Sequence, residues 1–147
     1  MSSNKVVARF LDGRVMKGSG LDIDPARPTF HLRKSEGGTD EIALTQLKAL
    51  FFVRTLEGDW SRGESLQLDP ADSRARSSFP VAMRFPDGET IVGLTIRYPP
   101  NRPYFWVVPV DPGSNNIRIL VNRAAVVFME SPPGLVPNPA PPPPVRP

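Results

Sequence analysis

The chain has 147 residues, 19 of them proline, no cysteine and a formal net charge of +3. The missing thiols exclude disulfides and thiolate metal centres. No apolar run reaches the roughly 18 residues of a membrane-spanning helix, and the charge excess is too small and too scattered to mark a nucleic-acid stripe.

Met1-Ser2-Ser3-Asn4-Lys5 lacks the apolar stretch of a signal peptide, so a cytoplasmic protein is expected. Lys5–Leu11 follows and alternates, with Val6, Ala8 and Phe10 on one face and Val7 and Arg9 on the other, the period of a strand. Asp12-Gly13 reads as a tight hairpin turn with positive φ angles. The second strand, Arg14 to Asp22, carries Gly18 and Gly20, suited to a bend where a small sheet curls. Asp24-Pro25-Ala26-Arg27-Pro28 is a turn that its prolines bar from a central strand. Thr29–Lys34 is strand three, Glu41–Leu44 strand four, Thr45-Gln46-Leu47 one helical turn and Ala49–Arg54 strand five.

The same order then recurs. Val6-Val7-Ala8-Arg9-Phe10-Leu11-Asp12-Gly13 returns as Val81-Ala82-Met83-Arg84-Phe85-Pro86-Asp87-Gly88, an offset of 75 residues that also relates Gly18 to Gly93, Arg27 to Arg102 and Phe30 to Phe105. With one residue inserted, an offset of 76 aligns Leu44 with Leu120, Ala49 with Ala125 and Phe52 with Phe128. An internal repeat sets the domain plan. The expected architecture is all-β: two tandem five-stranded small barrels, SH3-like or Sm-like, over 5–54 and 79–130, joined by a polar linker, 55–78. Units this small are marginal alone, so packing of one on the other is expected to supply stability. Trp60, Leu66 and Leu68 are expected to pin the linker to a barrel. The tail, 131–147, is about half proline, and its composition predicts a disordered polyproline II segment.

Two strings, Asp111-Pro112-Gly113-Ser114-Asn115-Asn116-Ile117-Arg118-Ile119-Leu120-Val121 and Lys48-Ala49-Leu50-Phe51-Phe52-Val53-Arg54, together with the Phe/Asp-Gly opening of each copy, resemble an uncharacterised small bacterial domain family. The resemblance covers about residues 5–130. It implies an accessory segment beside signalling domains such as PilZ or receiver modules, and it carries over no catalytic residue. The Asp-Gly turn and the bent strand are also similar to Sm and Hfq barrels. The N-terminal helix and the RNA-binding loops of those proteins have no counterpart here, nor has the Arg-rich start and Asp-x-Ser-x-x-Gly segment of a PilZ cyclic-dinucleotide receptor.

His31, the only histidine, is expected on the outer face of strand three, and without a partner cysteine it makes no typical zinc site. Asp22 and Asp24 share a face and suggest a hard-cation pair, but Arg97 and Pro99 stand at their repeat positions. Neither cofactor, metal nor catalysis is expected. Arg9, Arg27, Arg84 and Arg102 repeat in pairs and are candidate anion binders, against the plainer role of salt bridges to Asp12 or Asp87 or bonds to turn carbonyls. Tyr104, Trp106 and Val108 share the face opposite Phe105 and Val107, and Phe51 lies on a strand apolar on both sides. Tyr104, Trp106 and Phe51 thus read as an inter-barrel seam or as a platform for a partner. Pro141, Pro142, Pro143, Pro144 and Arg146 form a docking peptide for a protein with an aromatic groove. The leading expectation is a non-enzymatic interaction module, with homo-oligomers by strand exchange allowed. The alternative is a nucleic-acid or nucleotide binder using Arg9, Arg14, Lys17, Arg27 and Arg33.

Overall fold

The computed structural model describes residues 4–57 and 71–131. The first half forms β1 (Asn4–Phe10), β2 (Val15–Leu21), β3 (Thr29–Lys34), β4 (Thr39–Ala43) and β5 (Leu47–Val53). After a short helix α1 (Arg74–Ser77) come β6 (Phe79–Arg84), β7 (Thr90–Thr95), β8 (Tyr104–Val107), β9 (Asn116–Asn122) and β10 (Phe128–Glu130). Single 3-10 turns, Leu44–Gln46 and Arg123–Ala125, precede β5 and β10. The expected strands are thus present within a few residues of their expected ends, and α1 is an addition inside the expected linker. No helix among the described residues is long and apolar enough to cross a membrane.

The Asp-Gly hairpins differ from expectation in one respect. Only the glycines, Gly13 at φ +95° and Gly88 at φ +88°, take positive φ. The Phe10 N–H donates to Arg14 O and the Phe85 N–H to Glu89 O, each at 2.9 Å, which encloses a three-residue loop. That loop needs one left-handed residue, not two.

Two closed barrels do not form. The strands make two open antiparallel sheets, seven strands in the order β4-β3-β2-β1-β5-β9-β8 and three in the order β10-β6-β7. One bridge, Leu94–Val108, links the two, with mutual backbone bonds of 2.8 and 2.9 Å. The cause lies in β5. All seven of its residues are buried, and all but Lys48 are apolar, spread over both faces. Such a strand needs cover on both faces and a neighbour on both edges. β1 supplies one edge and β9, from the second half, supplies the other, pairing Ala49–Val121, Leu50–Leu120, Phe51–Ile119 and Phe52–Arg118.

The two cores are consequently shared. Phe10, Phe30, Leu32, Leu44, Leu47 and Leu50 fill one, completed by Leu120 of β9 with Tyr104 and Trp106 against it. Val81, Met83, Phe85, Phe105 and Val107 fill the other, completed by Val7, Ala49, Phe51 and Val53 of the first half. Each half closes the other's core, which is the apolar seam that the two-sided strands imply.

The pairings also correct the repeat alignment. Thr29 pairs Ala43 whereas Tyr104, 75 residues on, pairs Asn122, which is 79 residues beyond Ala43. Arg9 pairs Ala49 and Arg84 pairs Phe128, again 75 against 79. The spatial offset past strand three is therefore 79, not 76. The four extra residues sit in the loop between β8 and β9, where 108–115 is eight residues long against the four of its counterpart, 35–38. Chance matches such as Ala49/Ala125 and Phe52/Phe128 masked the insertion. One consequence is that β10 is not a second β5: Phe128 is 54% exposed, and Glu130 occupies the place of Phe51.

That β8–β9 loop fastens to the first half. The Arg54 Nε donates to Ser114 O at 3.0 Å and its Nη2 to Pro112 O at 3.1 Å. Asn115 Oδ1 accepts from the Thr55 N–H and hydroxyl, and its amide donates back to Thr55 O. Arg74 of α1 pairs with Asp72 and donates to Pro109 O and Val110 O, anchoring the segment that leads into β6. The linker residues Trp60, Leu66 and Leu68 and the tail from 132 lie outside the described residues.

Candidate functional site

The two proline turns, remote in sequence, line one groove. Asp24-Pro25-Ala26 comes from the β2–β3 turn and Pro100-Asn101-Arg102 from the β7–β8 turn, with Thr95, Ile96 and Arg97 at the end of β7 and Tyr104 and Trp106 on β8. The volume is about 530 Å³. The first turn is held by its own acid: Asp24 Oδ1 accepts from the Ala26 N–H at 2.9 Å and Asp24 O from the Arg27 N–H at 2.9 Å. Pro25 and Pro100 both line the groove, and neither carries a backbone N–H that would need a partner there. They meet because the β5–β9 pairing brings β8 round beside the first half's core.

Trp106 is braced from below. Its ring lies 5.4 Å from Phe52 at 57°, a tilted aromatic pair. The Arg118 guanidinium sits 4.2 Å over Trp106 and 4.6 Å over Phe52, so a cation caps both rings. Tyr104 and Trp106 remain half-buried, and Ile96 beside them is 82% exposed. A second depression of about 690 Å³ shares Ile96, Arg97, Pro100 and Asn101 and runs on to Tyr98, Pro99 and Phe79, itself 47% exposed. The two form a continuous apolar track with donors along it (Arg97, Asn101, Arg102 and the Tyr104 hydroxyl) and one carboxylate, Asp24, at its end.

The remaining candidates are placed elsewhere. Of the four paired arginines only Arg102 lines the groove. Arg27 belongs to the facing turn. Arg84 is exposed on β6. Arg9 lies over the Phe51 ring at 5.3 Å, in a separate cleft of about 400 Å³ with Lys17 and Leu56. Phe51 is 7% exposed and belongs to the shared core. The two acids considered as salt-bridge partners for the four arginines bind other cations: Asp12 binds Arg14 at 2.8 Å and Asp87 binds Lys48 at 2.8 Å. Pro141, Pro142, Pro143, Pro144 and Arg146 lie outside the described residues.

Asp22 and Asp24 do not cooperate. Asp22 turns to His31, accepting from its backbone N–H at 2.8 Å and meeting its Nδ1 at 2.9 Å, while Asp24 caps its own turn. The hydrogen bond that the His31 ring donates to Asp22, then the charge of Asp22, raises the His31 pKa above the usual imidazole value. The bond from the His31 backbone holds Asp22 below the usual carboxylate value, and the imidazole adds to it. Asp22 adopts φ +45°, a left-handed conformation stabilised by this clasp. Among the described residues no three His, Cys, Asp or Glu side chains gather as metal ligands.

The basic residues of the first half share a face in part. Lys5 is opposite Ser19 and Ser19 opposite Arg33, while Val7 is opposite Lys17. Lys5, Arg9, Lys17 and Arg33 therefore project from one side of β1–β3. Arg14 belongs to the other side, stacked 4.3 Å over Phe10.

Sequence reasoning did not single out Ile96, Arg97, Pro100 or Asn101. Their signal was the repeat itself: Pro100 matches Pro25, and two equivalent turns of a duplicated sheet can face each other. No curated protein and no solved structure matches the chain. A family model described as a family of unknown function, DUF6982, matches residues 2–131, and the chain belongs to that family.

Proposed function

We propose that the protein is a non-enzymatic interaction module that binds an extended, proline-containing segment of protein chain in the Tyr104–Trp106 groove. The proline-rich tail, with Pro141, Pro142, Pro143, Pro144 and Arg146, serves as a docking peptide for an aromatic-lined partner surface. The observation that carries this reading is the braced Trp106, half-buried beside the exposed Ile96 and between two proline turns. Proline-rich chains are stiff, lose little entropy on docking, and settle against aromatic planes. They present carbonyl acceptors with few N–H donors, which suits a track furnished with Arg97, Asn101, Arg102 and a phenol. The two halves are copies of one five-stranded unit, a reading supported by the common strand order β5-β1-β2-β3-β4 and β10-β6-β7-β8-β9. A role beside bacterial signalling domains follows from the family resemblance.

The test is affinity capture by the full chain, by Ile96→Ser and by a chain carrying Pro141→Ser, Pro142→Ser, Pro143→Ser and Pro144→Ser. A partner held by the groove is lost with the first variant, and one held by the tail with the second. A captured set unchanged by both would refute the reading.

A second reading, nucleic-acid binding, has one observation in its favour: the common face of Lys5, Arg9, Lys17 and Arg33. A shift of a mixed RNA and DNA pool that weakens steeply with salt would support it.

A further inference from the structure

The described part of the chain ends close to the groove. The last described residue, Ser131, donates from its Oγ to Pro80 O at 2.6 Å. Pro80 adjoins Phe79, which lines the far end of the apolar track. Pro80 and Phe79 pair with Leu94 and Thr95, and Thr95, Ile96 and Arg97 form the wall shared with the Tyr104–Trp106 groove. The chain therefore leaves the sheet beside the entrance to its own track.

Reach and chemistry both match. Residues 132–147 in polyproline II geometry, at about 3.1 Å per residue, extend roughly 50 Å, well beyond the span of a small domain's groove. The segment carries no acidic side chain, so its side chains set no carboxylate against Arg97 and Arg102, and its one charged side chain is Arg146. The track's one carboxylate, Asp24, stands at the end opposite Phe79. Prolines lie between Ser131 and Arg146 as the apolar side chains lie between Phe79 and Asp24. The polarity of the tail is thus the polarity of the track when the tail runs from Phe79 toward Asp24.

We propose that residues 139–147 dock in cis in the Tyr104–Trp106 groove, with Arg146 toward Asp24, so that the chain covers its own binding surface until a partner displaces the tail. The inference rests on the reading of the groove as a site for proline-rich chain. It makes the module self-occluded: groove and tail are released together.

The absence of cysteine allows a clean probe. A Val145→Cys chain, otherwise complete, is labelled with ¹⁵N and carries a nitroxide on the new thiol. Cis docking predicts that the Trp106 indole N–H and the amides of residues 95–106 lose most of their intensity, recovered on reducing the nitroxide, while Arg9 and Lys17 amides keep theirs. The loss disappears when Pro141, Pro142, Pro143 and Pro144 are changed to Ser. In a mixture of ¹⁵N chains without label and labelled ¹⁴N chains, groove signals stay sharp. Unbroadened groove signals in the labelled chain overturn the proposal, as does broadening in the mixture, which assigns the groove to a second copy's tail. A synthetic peptide of residues 139–147 added to the four-serine chain separates the two readings. Shifts at residues 95–106 with no broadening in the labelled chain leave the groove reading standing and remove the cis contact, and an absence of both removes both.

Discussion

Lys48 and Asp87 join the two halves through a single ammonium. Lys48 stands on β5 and is 5% exposed, and its Nζ donates to Asp87 Oδ2 at 2.8 Å and also to Glu89. It lies 5.2 Å from the Phe85 ring centroid. Both acids flank the Gly88 turn of the second half, so one first-half side chain holds that hairpin against the seam. Lys48→Ala removes the shared donor and the packed stem, and leaves two carboxylates side by side. Because Asp87 is more than half exposed the electrostatic part is screened, and the expected loss is about 1–2 kcal/mol in urea unfolding. Lys48→Met keeps the stem and is expected to lose less. Equal midpoints for wild type and Lys48→Ala would refute the clasp.

The same contact fixes a pH dependence. The Lys48 hydrogen bond, then the Glu89 backbone N–H, depress the Asp87 pKa below its ordinary 3.8. A depressed carboxylate stabilises the fold above its unfolded pKa and loses that contribution as pH falls through the folded value. Wild type is therefore expected to exceed Asp87→Asn in stability near neutrality, with the gap closing below about pH 3.8. A gap that stays constant down to pH 2.5 would assign the effect to something other than ionisation.

His31 and Asp22 titrate in the opposite sense at their upper limb. A raised imidazole pKa stabilises the fold fully below 6.5 and fades as pH rises through the folded value; the depressed Asp22 contributes above 3.8 and fades on acidification. The clasp therefore acts between those limits. By proton NMR, Asp22→Asn is expected to lower the His31 midpoint toward 6.5, and an unmoved midpoint would show that the pair does not form in solution.

Asn115 tests the other fastening. Its amide makes three bonds with Thr55, at 3.0, 3.1 and 3.0 Å, and Arg54, the neighbour of Thr55, donates to Ser114 O of the same loop. Asn115→Ala leaves the Thr55 N–H and C=O to water and is expected to cost about 1–2 kcal/mol, with faster amide exchange at the β5–β9 pairs. Exchange unchanged at Phe51 and Ile119 would show that the loop does not hold the sheet joint.

These residues explain what the sequence could and could not disclose. The strands were legible because their alternation is local, as in Val6, Ala8 and Phe10. The two-faced burial of β5 was legible too, since Leu50 and Phe52 alternate with Ala49, Phe51 and Val53. What covers such a strand is not written locally. The choice of β9 as its second neighbour, over closure within the first half, depends on side chains scores of residues away. The strings that marked the family, 48–54 and 111–121, prove to be the two sides of that joint, so their pattern follows from the fold. The groove was half legible: Tyr104 and Trp106 stood out by their type and face, but Ile96, Arg97 and Asn101 join them only through the geometry of the turns. The register slip past strand three was hidden because an apolar strand matches another apolar strand at several offsets.

Gly93 carries the most demanding prediction, because the link between the two sheets passes beside it. A Cβ placed there would stand 2.4 Å from Val107 Cγ1 and 2.6 Å from Val108 O. The second of these atoms accepts the Leu94 N–H in the sole bridge between β7 and β8. A methyl group cannot be accommodated by rotating one side chain, since a backbone carbonyl must move and take the bridge with it. Gly93→Ala is expected to cost about 1–3 kcal/mol or more and to raise amide exchange at Leu94 and Val108 ahead of the β1–β5 pairs. The three-stranded sheet should loosen first, and with it the wall formed by Thr95, Ile96 and Arg97. Quenching of Trp106 fluorescence by an added neutral quencher should therefore rise in this variant below its unfolding transition, read in a Trp60→Phe background. An unaltered exchange pattern together with unaltered quenching would mean that the groove wall is held by other contacts than this bridge.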